Sequence, residues 1–108
     1  MNNSLNAKLD DIINYIKNTD AYKNYLKTKK LMSENHELMS MIDEVKKYQK
    51  DIVRNIDKKD KEIKYKQLLD RLMEDPLYLE YMEYLDEVNN MLNIFENKLN
   101  KYFFDLFN

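Results

Sequence analysis

The chain is 108 residues long, enough for one domain, and carries no glycine, one proline and no cysteine. Tight turns and bulged sheets are poorly supplied, and disulfides, thiolate metal sites and cysteine-ligated iron–sulfur clusters are excluded. A net charge of -2 and a pI near 5.4 lack the strongly basic footprint of a nucleic-acid binder.

Hydrophobic residues make up 44% and charged residues 35% of the chain, a pairing that fits an amphipathic all-α protein better than a disordered one. Leu5, Leu9, Ile12, Ile13 and Ile16 recur at helical spacing, so residues 4–17 read as a first helix with Ser4 as its N-cap. The stretch "NTD" at 18–20 interrupts it, and Thr19 or Asp20 can cap a second helix, which carries Tyr22, Tyr25, Leu26 and Met32 and runs to about Glu34. Asn35 can cap a third. Its apolar positions are Leu38, Met41, Ile42, Val45, Tyr48, Ile52 and Ile56, with Leu38, Val45 and Ile52 seven apart as in a heptad seam. The polar "DKKD" at 57–60 marks a turn, and a fourth segment over 61–74 shows Ile63, Leu68, Leu69, Leu72 and Met73.

Asp75-Pro76 restarts the chain, because an acidic N-cap followed by proline at the first helical position loses no needed donor. From there Tyr78, Tyr81, Leu85, Val88, Leu92, Phe95, Leu99, Tyr102 and Leu106 follow one another at spacings of three and four. A second stripe of Leu77, Tyr84 and Met91 lies beside it. One stripe satisfies one neighbour, and two adjoining stripes predict two. The expected architecture is a bundle of four to five helices, two of them long, in a single domain over 1–108 that associates with itself. The expected contact surface is Tyr81, Tyr84, Leu85, Val88, Met91, Leu92, Phe95, Leu99 and Tyr102, on a helix running from Pro76 to about Phe107.

Charge is unevenly spread. Between Lys46 and Lys66 nine basic residues face four acids, and between Asp70 and Glu87 seven acids face one arginine. These stretches read either as solvated faces or as arms that meet, within or between chains, and set a register.

Catalytic chemistry is poorly supplied. The lone histidine, His36, has no cysteine to pair with, and Ser4, Ser33 and Ser40 sit in no elbow-like context. Glu83 and Glu87 share a helix face with Glu80 and Asp86 nearby, but no Glu-x-x-His element accompanies them, so they read as a solvated acidic face rather than a metal site. Without glycine no phosphate-cradling loop forms. The nine tyrosines, some interleaved with lysine as in "AYKNYLKTKK", fit core and interface positions better than base-stacking platforms. No cofactor, metal, catalytic residue or direct nucleic-acid contact is therefore expected. No apolar run approaches the ~18 residues of a membrane span, and a soluble cytoplasmic protein is the expectation.

The stretch "TDAYKNYLKTKKLMSENHELMSMIDEVKKYQKDI" resembles the first half of the YlbF/YmcA family of small helical bacterial proteins. The likeness rests on Asp20-Ala21-Tyr22, Tyr25, Leu31, a polar break at Asn35, Glu37 and the Met41-Ile42 pair. "LLDRLMEDPLYLEYMEYLDEVNNMLNIFENKL" resembles the second half, through Leu69, Leu72, the Asp75-Pro76 restart, Tyr81, Leu85 and Leu92. The likeness covers residues 9–103. It implies a self-associating all-α fold and a cytoplasmic, non-enzymatic regulator with family members or an RNase complex as partners. Some members act in a complex that regulates RNA maturation by RNase Y and influences competence, biofilm formation and sporulation. Some of those are associated with a cysteine-bound iron–sulfur cluster, a property that does not carry over to a chain without cysteine. Two other readings are a self-assembling helical protein with no RNA link and a small nucleic-acid-binding module working through the basic 46–66 stretch.

Overall fold

A computed structural model of the chain describes residues 2–107. Five helices run in order through them: α1 (Asn2–Lys17), α2 (Asp20–Ser33), α3 (His36–Val53), α4 (Lys58–Leu72) and α5 (Pro76–Phe107), with no strand among the described residues. The all-α class and the helix number agree with the reading of the sequence.

Side-chain caps set three of the boundaries. The Thr19 hydroxyl donates to the Ile16 carbonyl at 2.6 Å and accepts from the Tyr22 N–H at 3.2 Å, closing α1 and opening α2 with one side chain. Thr19, not Asp20, is thus the cap of α2. The Asn35 side chain accepts from the Leu38 N–H at 3.1 Å. At α5 the Asp75 carboxylate accepts from Leu77 N–H at 2.9 Å and Tyr78 N–H at 3.0 Å, satisfying two of the orphan donors of the first turn.

Two boundaries differ from expectation. Ser4 lies inside α1, which begins at Asn2, so it is not a cap. The break after α3 falls at residues 54–57, and Lys58–Asp60 already belong to α4. The reason is backbone chemistry rather than polarity. The Ile56 N–H reaches the Asp51 carbonyl at 3.0 Å and the Asn55 N–H reaches Ile52 at 3.1 Å, the two bonds of a Schellman motif. Its left-handed residue is Asn55, with φ 59°, in the place glycine usually takes. Polar residues in the first turn of α4 are compatible with helix. Lys64 and Asp60, four apart, form a salt bridge at 3.1 Å, and this hydrogen-bonded carboxylate raises the Lys64 ammonium above its ordinary pKa.

The chain forms two compact units, one from Thr28–Tyr81 and the other from the residues up to Lys27 together with those from Met82 onward. The Thr28–Tyr81 unit centres on an α3–α4 hairpin, the pair of helices in closest approach. Met32, Leu38, Val45, Leu68 and Leu72 form its core, flanked by Met41, Ile42, Tyr48, Leu77, Tyr78 and Tyr81. Near its turn the hairpin is held by Lys61–Asp51 at 3.5 Å and by Gln49 Nε2 donating to the Tyr65 hydroxyl at 3.2 Å. The heptad positions Leu38 and Val45 of α3 are thus buried against α4, as the seven-residue spacing predicts.

Candidate functional site

The other unit is built from α1, the first half of α2 and most of α5. On α1, Leu5, Leu9 and Ile12 are half-buried and Ile16 is buried, forming one stripe. Tyr15 meets Phe95 of α5 edge-on, with ring centroids 5.7 Å apart and planes at 75°. Seven residues earlier on α1, the Lys8 ammonium lies 4.2 Å from the centroid of Tyr102, seven residues later on α5. These two contacts run in opposite senses along the helices, so α1 and the C-terminal half of α5 are antiparallel. Large rings fill the space between them, and an open groove of about 290 Å³ remains, lined by Lys8, Asp11, Ile12, Phe95, Lys98, Leu99 and Tyr102.

The residues expected to form a contact surface are distributed unevenly over this framework. Val88 is buried within its own chain. Tyr84, Leu85, Met91, Phe95 and Leu99 are half-buried, and Tyr81 packs against the core of the Thr28–Tyr81 unit. Leu92 and Tyr102 are exposed, Leu92 to 47%. Ile16 and Val88 are the only buried apolar side chains of the α1–α5 unit among the described residues, although α5 carries seven seam residues within that unit, from Leu85 to Leu106. Several large apolar side chains of this unit face solvent, including Ile13, Tyr15, Ile94 and Phe104 at 46%, 61%, 54% and 65% exposure.

Ile94 and Tyr15 went unnoticed in the sequence because each lies outside the main stripe of its helix. An apolar residue about a third of a turn off a satisfied stripe is the signal that finds them. Among the described residues no group of three or more His, Asp or Glu side chains is placed to hold a metal, and no helix is long and apolar enough to cross a membrane. What this arrangement offers is apolar and aromatic contact area on helices held by caps and rings.

A family model described as "Control of competence regulator ComK, YlbF/YmcA" matches residues 5–102. No curated protein and no solved structure matches the chain. The matched span takes in all of α2, α3 and α4, most of α1 and α5, and the capped breaks between them. The chain belongs to the YlbF/YmcA family, whose description is control of a competence regulator.

Proposed function

We propose that the chain is a non-enzymatic regulatory adaptor of the cytoplasm, acting through helix-mediated protein–protein contacts, and that the outward face of the α1–α5 unit is where it binds itself and its partners. Family membership supports a regulatory role. The observation that carries the contact surface is the mismatch between the seven seam residues that α5 carries from Leu85 to Leu106 and the two buried apolar side chains, Ile16 and Val88, of the α1–α5 unit among the described residues. Apolar patches of that kind are rarely left open on a monomer, and covering one contributes roughly 25 cal/mol per Å² before association costs.

The finer reading is that the chain belongs with YlbF/YmcA-type modulators of RNase Y-dependent RNA processing, and through them bears on the competence regulator named in the family's description. Its test is affinity purification from the native host with wild type and with Leu92→Asp. Wild type should retain RNase Y or proteins bound to it, and the variant should lose them while staying folded. Recovery of the chain alone by wild type would instead support a self-assembling protein with no RNA link.

A further inference from the structure

The exposed side of α3 carries a groove of about 420 Å³, lined by Lys46, Gln49, Lys50, Val53 and Arg54. Lys46, Lys50 and Arg54 recur every four residues, so their charges lie along one side of the helix. Val53, seven residues after Lys46, is 86% exposed and stands in line with them. No salt bridge ties any of the three cations to a carboxylate among the described residues, since the hairpin's ion pairs use Lys61 and Lys64.

Helix α5 carries the complementary arrangement. Glu83 and Glu87 lie one turn apart with Asp86 beside them, all exposed and without ion-pair partners among the described residues. Ile94, seven residues after Glu87, is 54% exposed and ends the acidic row as Val53 ends the basic one. Each surface therefore offers charge of one sign with an aliphatic side chain in line, and the two signs are opposite.

We infer that the groove of α3 formed by Lys46, Lys50 and Arg54 seats the acidic row Glu83, Asp86 and Glu87 of α5 from a second copy of this chain. The four-residue step of Lys46, Lys50 and Arg54 recurs between Glu83 and Glu87, so two pairs form together, which isolated surface pairs do not. The inference rests on the reading that the chain associates with itself, and it names the α3 groove as the surface that receives the Glu83–Glu87 row of α5.

Charge exchange tests it. Two triple variants are made, Lys46→Glu/Lys50→Glu/Arg54→Glu and Glu83→Lys/Asp86→Lys/Glu87→Lys, and association is measured by sedimentation equilibrium in low salt and in about 0.5 M salt. Each should keep wild-type helicity and weaken self-association in low salt by at least about tenfold. An equimolar mixture of the two should recover association, and high salt should weaken the wild type. Should a triple variant lose helicity, Lys50→Gln and Glu87→Gln provide the milder pair, each expected to weaken association about two- to fivefold. Unchanged association in the variants, no recovery in the mixture, or a salt-insensitive wild type overturns the inference. So does a result in which the basic triple variant loses binding to phosphatidylglycerol vesicles or to RNA while its self-association is untouched. Leu92→Asp leaves both charged rows intact, so failure of the α1–α5 face is read separately on that variant.

Discussion

Asn55 shows how a chain without glycine still ends a helix tightly. Its φ of 59° is tolerated because a short polar side chain visits the left-handed region at lower cost than a branched one. The sequence gives no direct sign of this. A reader looking for the usual glycine finds none and places the break at the next polar cluster, three residues late. Asp75 is the opposite case, legible from two letters, since an acid before proline has few other uses. Its carboxylate accepts two backbone N–H groups, so Asp75→Ala should cost about 1 kcal/mol, read as a lower denaturant midpoint with an unchanged slope. Asp75→Ser or Asp75→Asn should recover most of it, because either residue still offers an acceptor. An alanine variant as stable as wild type would show that the proline alone fixes the start of α5.

At the scale of elements, periodicity carried most of the fold. The seven-residue spacing on α3 placed Leu38 and Val45 in the core, and Leu68 and Leu72 of α4 meet them there. Leu38 and Leu72 are each only 1% exposed, so truncation leaves a cavity with little room to relax. Leu72→Ala should cost about 2–5 kcal/mol, measured by chemical denaturation, and a loss under about 1 kcal/mol would mean the hairpin core repacks freely. Periodicity was less informative for α5. It marked a stripe without saying which stretches of it are covered by the same chain. Val88 and Leu92 are four residues apart on one seam, yet one is buried and the other nearly half exposed. The difference depends on which other helices cover each stretch of α5, and no spacing within α5 encodes that.

At the scale of the whole molecule, apolar content exceeds what the described core uses. Hydrophobic residues are 44% of the chain, and among the described residues the buried apolar side chains number five in the Thr28–Tyr81 unit and two in the α1–α5 unit. Slender helical units have limited interior, and most of the exposed large apolar side chains, Ile13, Tyr15, Leu92, Ile94 and Phe104 among them, lie on α1 and α5. The class of fold was legible from composition alone. The contact surface was legible only in outline, because exposure is a property of packing partners distant in sequence. The central claim, that this outward face joins copies of the chain, is tested most directly by the solution mass of wild type and Leu92→Asp at micromolar concentration. Light scattering should give wild type at least twice the chain mass of 13.3 kDa. Leu92→Asp should shift toward a single chain with its far-ultraviolet circular dichroism unchanged, since Leu92 is already 47% exposed and its replacement breaks no core contact. A monomeric wild type, or a Leu92→Asp variant that stays folded with the mass of wild type, would contradict the account.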